Sequence, residues 1–270
     1  MKIDKGTIIG VVVGFGSIAA SVLIEHGSLF SYVNVSAGLL VFGGTIGVGL
    51  IAHPFAVVMR LPKLVMLAVK EPHHDAAGMV EQFYQLADRA RKEGLLSLEQ
   101  SATTLTNPML KKGIMLVVDG TDPEVVKAVL EVEVAAREQR HEVGIGMLEA
   151  LGGFAPTLGI LGTVMGLIRI LAHMSNAQEL GPAIAVAFTA TLYGVGSANL
   201  LWLPLASKLK RRSAEEAELA ALIIDGVAAI QAGDNPRIVQ EKLVGYVTPA
   251  KGKKAAADGG TPAAPQAKAA

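Results

Sequence analysis

The chain has 270 residues, of which 51% are hydrophobic and only 18% are charged, whereas a soluble domain carries about 25% charged residues. Lys and Arg balance Asp and Glu at 24 each, so net charge indicates neither a nucleic-acid partner nor an acidic one. The lack of cysteine excludes disulfide bonds, thiolate metal sites and cysteine nucleophiles. The mean hydropathy of +0.45 points to a membrane protein.

The hydrophobic residues are concentrated in four runs, at 7–24, 33–58, 150–171 and 183–205. Each run is about as long as a helix needs to cross a hydrocarbon core ~30 Å thick. The first follows two lysines, as in a signal peptide, but it is long and no small-residue cleavage site ends it. We therefore predict an all-α, polytopic membrane protein with four transmembrane helices, and we expect the first helix to be retained.

Positive charge is distributed unevenly around these runs. The connections 25–32 and 173–182 contain no Lys or Arg, whereas the segment 59–149 is rich in both and the fourth run is followed by KLKRR. Cytoplasmic loops carry an excess of Lys and Arg in membrane proteins. Both termini and the long middle segment are therefore predicted to be cytoplasmic.

The segments outside the runs are also predicted to be helical. Asp75 is placed to cap one helix, Ser97 begins a capping-box sequence, and Asp122 with Pro123 gives an N-cap followed by a proline at the first helical position. No breaker separates this last helix from the third run, so we expect one continuous rod. An amphipathic helix after the fourth run is predicted to end at Gly233.

Glycines four residues apart recur within the runs, at Gly10 and Gly14, Gly43 and Gly47, and Gly162 and Gly166. Small residues at this spacing share one helix face and allow another backbone to approach closely. The approaching helix belongs either to this chain or to a second subunit, and the pattern alone leaves both open.

Ionisable side chains are scarce at membrane depth. The four runs contain no Asp or Glu, Arg169 is close enough to a membrane surface to snorkel, and His53 beside Pro54 is more typical of a structural histidine. The third and fourth runs do contain prolines and polar groups: Pro156, Thr157, Thr163, Thr189, Thr191, Tyr193, Ser197, Asn199 and Pro204. Prolines are tolerated where a helix lines a cavity. These runs are predicted to line a polar path whose carboxylate comes from another polypeptide.

The sequences FAPTLGILGTVMGLI (154–168) and ELGPAIAVAFTATLYGVGSANLLWLPLASKLKRRS (179–213) resemble the two pore-lining helices of the MotA/PomA/MotP stator family. ADRARKEGLLSLEQ (87–100), LVVDGTDPEVV and IIDGVAAIQAGDNPRIVQ resemble its cytoplasmic segments, so the resemblance extends to about Tyr246. It implies a stator subunit of the bacterial flagellar motor in the inner membrane. It further implies a homopentamer around a dimer of a single-span, peptidoglycan-binding MotB-type partner, which supplies the ion-binding aspartate.

In this family, ion passage drives the rotor protein FliG, so the resemblance implies translocation of H+ or Na+ and no bound cofactor. By motif position, Arg91 and Glu99 match the charged pair that engages the rotor, and Arg89 and Lys92 belong to the same charged run. Without the resemblance, such a run is typical of a solvated helix face.

The resemblance also assigns an ion path. Pro156 and Pro204 match the two functional prolines of the family, and Thr163 and Thr191 match its ion-path hydroxyls. Ala190 is a departure, because the sodium-driven PomA type has a second threonine at this position. The coupling ion therefore stays open, and Ala190 tilts the expectation towards the proton.

The predicted division of the chain is a transmembrane hairpin (1–58), a rotor-interacting cytoplasmic domain (59–149), a pore-lining hairpin (150–207), C-terminal cytoplasmic helices (208–248) and a disordered tail (249–270). The main alternative is an ExbB/TolQ-type proton-channel subunit, which shares the pore-lining helices but has three spans. An enzyme is not predicted, since HExxH, GxSxG and GKS/T sequences are absent. A purely structural membrane scaffold is a further alternative.

Overall fold

The computed structural model describes residues 4–70, 75–172 and 177–247, and the predicted tail 249–270 lies outside these ranges. Every regular element in them is a helix. Within the same ranges, four helices are long and apolar enough to cross a membrane: Lys5–Ile24, Val35–Ala52, Pro123–Ala172 over part of its length, and Leu180–Gln231 over part of its length. The prediction of an all-α protein with four spans is confirmed.

In chain order the helices are α1 (Lys5–Ile24), α2 (Val35–Gly38), α3 (Gly44–Ala52), α4 (Phe55–Val58), α5 (Leu61–Val69), α6 (Ala76–Glu93), α7 (Leu98–Thr104), α8 (Pro108–Val118), α9 (Pro123–Ala172), α10 (Ala177–Ser197), α11 (Leu203–Gln231) and α12 (Pro236–Val247). Two π-helical segments, Leu39–Gly43 and Ala198–Trp202, join α2 to α3 and α10 to α11. Single 3₁₀ turns cover Leu29–Tyr32 and Leu95–Ser97.

Two of the three predicted helix starts are confirmed. The carboxylate of Asp75 accepts a hydrogen bond from the backbone N–H of Gly78 at 2.8 Å, and Asp122 likewise caps α9. The capping box at Ser97 is wrong. A 3₁₀ turn leads into α7, so Ser97 already has helical backbone angles, and its hydroxyl donates backwards to the carbonyl of Gly94.

The second span is shorter than predicted, because its helix ends at Ala52 instead of residue 58. His53 is extended, with φ −132° and ψ 152°. A residue before proline avoids the helical region for steric reasons, so Pro54 ends the helix. His53 is therefore the residue at which α3 ends.

The long helices are continuous. α9 runs for 50 residues, as the lack of a breaker predicted. The fourth span and the amphipathic helix after it also form one rod from Leu180 to Gln231, which the sequence pattern did not predict. Gly233, with φ 75°, follows this rod as the expected stop.

The chain forms two compact units. Among the described residues, unit 1 comprises 4–70, 133–172 and 177–217, and unit 2 comprises 75–132 and 218–247. The core of unit 1 includes Leu148, Leu151, Ala198, Trp202 and Leu205. Buried residues of unit 2 include Phe83, Leu110, Leu130, Val227 and Leu243.

Candidate functional site

α9 and α10 approach each other through backbone atoms. A Cβ added to Gly194 would lie 2.5 Å from the carbonyl oxygen of Ala155 and 3.0 Å from the Cα of Gly159. A Cβ added to Gly159 would in turn lie 2.9 Å from the carbonyl oxygen of Ala190. Real Cβ atoms do not come this close to backbone, so only glycine permits this helix–helix distance.

For the glycine pair of the third span, the structure shows that the approaching helix belongs to the same chain. A Cβ on Gly162 or Gly166 would lie 2.5 Å from the methyl carbon of an alanine of α10, so this pair packs within the chain. A Cβ on Gly10 or Gly47 would instead meet no atom within 4 Å. These two glycines of the first and second spans face open space.

The close approach of α9 and α10 brings Thr163 and Thr191 together, and their hydroxyls share a short hydrogen bond. Thr163 Oγ1 also lies 3.2 Å from the carbonyl oxygen of Gly159 and 3.4 Å from that of Ala187. Thr191 Oγ1 lies 3.4 Å from the same Gly159 oxygen. Two hydroxyls and two carbonyls therefore converge on one point. We call Thr163 and Thr191 the hydroxyl pair.

The two predicted prolines lie away from the hydroxyl pair along the helices. Pro156 precedes Thr163 by seven residues and Pro204 follows Thr191 by thirteen, which corresponds to about 10 Å and about 20 Å of helix. Pro204 is the second residue after the π-helical segment Ala198–Trp202. The wider π turn accommodates the missing N–H of this proline, so the rod continues past it.

Ala190 packs among apolar groups and does not join the converging oxygens. It is 1% exposed, and it clusters with Ala37 and Val41 at the start of the second span. Its methyl group also faces Gly162. A larger side chain at this position would have to displace one of these neighbours.

The predicted charged run surrounds the bend at Gly94, between α6 and α7, where φ is 85°. Arg89 donates to Glu93 at 3.0 Å on its own helix, and it reaches across the bend to Ser101 at 2.9 Å and Gln100 at 3.2 Å. Arg89 therefore fastens α7 to α6. The prediction placed it only as one charge of a run, because partners eleven and twelve residues away carry no local signal.

Lys92 is also engaged within the chain. It donates to Asp88 at 2.7 Å, and this bond raises the pKa of Lys92. Arg91 and Glu99 are exposed, and neither has a hydrogen-bond or ion-pair partner among the described residues. The structure thus divides the run into two anchored cations and two free charges of opposite sign.

One polar cluster was not predicted. Asp4 caps α1 by accepting from Gly6 N–H at 2.8 Å, and it also accepts from Lys208 of α11, which in turn bonds to Thr7. The hydrogen bond from Lys208 lowers the pKa of Asp4 to about 2. An Asp before an apolar run is a readable capping signal, whereas its contact with Lys208 spans 204 positions and is not readable.

Tyr193 was predicted as part of a polar lining, and the structure places it in a tether. Its hydroxyl donates to the carbonyl of Tyr32 at 2.5 Å and accepts from Asn34 N–H at 3.0 Å. This bond pair holds the start of the second span against α10. Across residues 4–70, 75–172 and 177–247, no group of three metal-binding side chains is close enough to hold an ion.

Known proteins resemble this chain over nearly its whole length. The sequence profile of the MotA/TolQ/ExbB proton channel family matches residues 101–221. Motility protein A of Bacillus subtilis is 37% identical over 249 residues, which is 92% of this chain and 92% of that protein. Chemotaxis protein PomA of Vibrio alginolyticus is 36% identical over 252 residues, which is 93% of this chain and 98% of that protein.

Solved structures agree with these relatives. The flagellar MotAB stator complex of Bacillus subtilis contains a chain with a TM-score of 0.85 at 37% identity, covering 91% of this chain and 96% of that chain. The MotAB structure of C. jejuni gives a TM-score of 0.86 at 27% identity, with the same coverage. The chain therefore belongs to the MotA/TolQ/ExbB proton channel family and, within it, to the motility protein A and PomA group of flagellar stator proteins.

Proposed function

We propose that this protein is the stator subunit of a bacterial flagellar motor and that it forms an ion channel with a MotB-type partner. The observation that carries this proposal is the hydroxyl pair, a polar site between two membrane spans that contain no carboxylate of their own. Ion paths keep an ionisable group at membrane depth. A partner helix carrying an aspartate would complete the site.

The exposed faces of the two pore-lining spans support assembly with other chains. Large apolar side chains stand out from both helices: Leu161, Met165, Ile168, Ile184, Phe188 and Val195. Neighbouring subunits, lipid and the partner helix would cover them. The solved relatives are MotAB complexes, which supports a MotB-type, single-span partner, and the family supplies the expectation of a homopentamer around it.

The placement in the inner membrane with both termini cytoplasmic rests on the Lys and Arg of the segment 59–149 and of KLKRR. In this orientation Arg91 and Glu99 face the cytoplasm, where a rotor protein such as FliG would dock. Arg89 and Lys92 flank this surface, and their charges are engaged by neighbouring side chains. The division into segments 1–58, 59–149, 150–207, 208–248 and 249–270 belongs to the same proposal.

An ExbB/TolQ-type channel subunit is the weaker candidate. The family profile includes these proteins, but the relatives that match more than nine-tenths of the chain are motility proteins. Four apolar helices also suit the motility group, since ExbB and TolQ proteins have three spans. No observation favours the alternative enough to propose it.

The coupling ion we propose is the proton. The two hydroxyls and two carbonyls at the hydroxyl pair are already hydrogen-bonded to one another, and the apolar surroundings of Ala190 add no further oxygen. A dehydrated sodium ion requires several oxygen ligands that are free to coordinate it. A proton requires only the partner's carboxylate and a chain of water. The hydroxyls would then position that water without binding the ion themselves.

Swimming measurements test both the channel and the ion. In a host lacking its own stator genes, the chain and its partner should restore swimming at a speed that is flat in external sodium and follows the proton gradient. Thr191→Ala should reduce this speed and Thr191→Ser should restore it. Thr45→Ala is the control, because this substitution also removes a threonine hydroxyl that bonds within its own helix, from Thr45 to the carbonyl of Val41 in the second span. Saturation of the wild-type speed with sodium would overturn the proton assignment.

A charge-reversal experiment tests the rotor surface separately. Arg91→Glu and Glu99→Lys should each reduce swimming while the membrane content of the protein stays normal, because such charges set encounter and register in docking. A matching reversal on the rotor protein should restore part of the speed. Glu81→Lys on the exposed face of α6 provides the control. Normal swimming of both variants at low ionic strength would contradict the proposed surface.

A further inference from the structure

A groove of about 750 Å³ lies between α1 and the fourth span, on a side of unit 1 that the hydroxyl pair does not use. Its walls come from the first two turns of α1, from the π-helical segment Ala198–Trp202 and from the first turns of α11. This volume is within the range of about 300–1,000 Å³ that small-molecule sites occupy. The groove is therefore large enough for a ligand.

Contacts between α1 and the rod of the fourth span close the groove at both of its ends. Towards the membrane interior, α1 touches the fourth span where a Cβ on Gly14 would lie 3.2 Å from the Cδ2 of Leu200. At the other end, Lys208 bonds to Asp4 and Thr7. Between these ends the helices separate, and a Cβ on Gly10 would meet no atom within 4 Å. Glycine at this position leaves the slot open.

The groove is apolar at one end and cationic at the other. Val11, Leu200, Leu201 and Leu205 line the end towards the membrane interior, whereas Lys208 and Arg211 line the end where the fourth span leaves the membrane. Asp4 neutralises Lys208. The side chain of Arg211 is 71% exposed and has only a 3.5 Å ion pair with Glu215, so it can turn to another anion.

We propose that this groove binds one phospholipid with an anionic headgroup, its acyl chain in the apolar slot and its phosphate at Arg211. The nine residues from Leu200 to Lys208 span about 12 Å of helix, close to the ~15 Å that one leaflet contributes to a ~30 Å hydrocarbon core. Lys and Arg at the membrane surface attract anionic lipids. Charge complementarity favours a lipid over a second copy of this chain as the occupant.

Lipid retention measures the headgroup contact directly. The complete complex is placed in nanodiscs of phosphatidylglycerol and phosphatidylcholine with identical acyl chains, and the lipids that stay bound are counted by native mass spectrometry. Retention of phosphatidylglycerol by Arg211→Gln should fall about fivefold relative to wild type. Lys210→Gln is the matched control, since Lys210 is adjacent but does not line the groove. Equal loss in both variants, or equal retention of the two lipids by wild type, would overturn the headgroup assignment.

A second variant tests the acyl slot without changing charge. Gly10→Leu should fill the slot and lower retention of both lipids, whereas Gly16→Leu should not, although a Cβ at Gly16 also meets no atom within 4 Å. Wild-type retention by Gly10→Leu would contradict the slot. A changed subunit number in Gly10→Leu with unchanged lipid retention would instead identify the groove as a contact between subunits. The measurement involves no ion flow, so its outcome does not depend on the proposed stator function.

Discussion

Glycines lie at close helix contacts in both units, but they meet different neighbours. In unit 1, Gly159 and Gly194 face backbone atoms of the opposite helix. In unit 2, a Cβ on Gly113 would lie 2.8 Å from the side chain of Val227, and one on Gly226 would lie 2.5 Å from the ring of Phe83. The contact between α9 and α10 in unit 1 is thus packed backbone against backbone, although Gly49 and Gly152 of the same unit meet leucine side chains. Gly113 and Gly226 of unit 2 are packed by large side chains that fill the space beside them.

This difference follows from the surroundings in which each unit folds. Lipid is as apolar as leucine, so helices gain nothing from burying large apolar side chains within it, and close backbone contact and shared polar groups hold them instead. In water, removing apolar area from solvent is the main driving force. The first two apolar spans and the hydroxyl pair lie in unit 1, whereas the fully buried ring of Phe83 lies in unit 2.

The largest effect should come from removing that ring. Phe83→Ala should destabilise unit 2 by about 3–5 kcal/mol, because it removes apolar contacts and leaves a cavity. Hydrogen exchange followed by mass spectrometry should then show faster exchange in peptides from α6 and α12. Peptides from residues 154–168 of unit 1 should be unaffected. Leu96→Ala, whose side chain is 75% exposed, should change stability by less than about 0.5 kcal/mol. If Phe83→Ala made hydrogen exchange faster to the same extent in both units, the prediction that this ring stabilises unit 2 alone would be wrong.

A methyl group should be enough to disturb unit 1. Gly194→Ala should cost about 1–3 kcal/mol, as overpacking does when the obstacle is backbone, and it should separate the hydroxyl pair. The thermal denaturation midpoint of the detergent-solubilised complex should fall, and swimming should be lost. Gly196→Ala on the same helix meets no atom within 4 Å and should be neutral or slightly stabilising. Equal thermal midpoints for Gly194→Ala and Gly196→Ala would contradict the backbone-against-backbone packing of α9 and α10.

Local signals account for most of what the sequence predicted correctly. Four apolar runs, Asp75 before one helix and Asp122 before another all act over a few residues, and each is confirmed. The errors also have local causes. Ser97 belongs to a 3₁₀ turn that the capping pattern does not reveal, and the second span ends early because Pro54 restricts the residue before it.

Contacts between distant positions could not be predicted from periodicity or spacing. The hydroxyl pair joins positions 28 residues apart and was proposed only through the family resemblance. The bond from Lys208 to Asp4 spans 204 positions. Gly159 and Gly194 meet for the same reason, since a glycine indicates that something can approach but not which backbone does so. The same limit applies in unit 2, where the contacts of Arg89 with Gln100 and Ser101 could not be predicted from local spacing.

A smaller effect is expected at the bend between α6 and α7. Arg89→Gln removes an ion pair and two hydrogen bonds across the bend, and it should destabilise unit 2 by about 1 kcal/mol, since the arginine is partly exposed. Lys92→Gln removes only an exposed pair with Asp88 and should cost less than about 0.5 kcal/mol. Denaturant unfolding monitored by circular dichroism would separate the two. Equal losses of unfolding free energy in the two variants would mean that the contacts of Arg89 across the bend do not stabilise unit 2.

The smallest effect concerns the last described helix and depends on pH. The hydroxyl of Tyr246 in α12 donates to Asp225 of α11 at 2.5 Å, and this bond raises the pKa of Tyr246 to about 12. A raised pKa means that folding favours the protonated phenol, so the stabilisation is complete below the unfolded value of about 10. It is lost as the pH rises through about 12.

Tyr246→Phe should therefore lower the thermal midpoint by a small, constant amount between pH 8 and about pH 10, corresponding to at most about 1 kcal/mol for an exposed bond. Above about pH 10 the midpoints of wild type and variant should converge, because the wild-type phenol loses its proton on unfolding. Circular dichroism at the helical band measures both. Equal midpoints of wild type and variant at every pH would show that the ring, which phenylalanine retains, and not the bond to Asp225, holds α12 in place. Side-chain packing would then dominate in unit 2 even at its exposed edge, which would sharpen its contrast with the backbone contacts of unit 1.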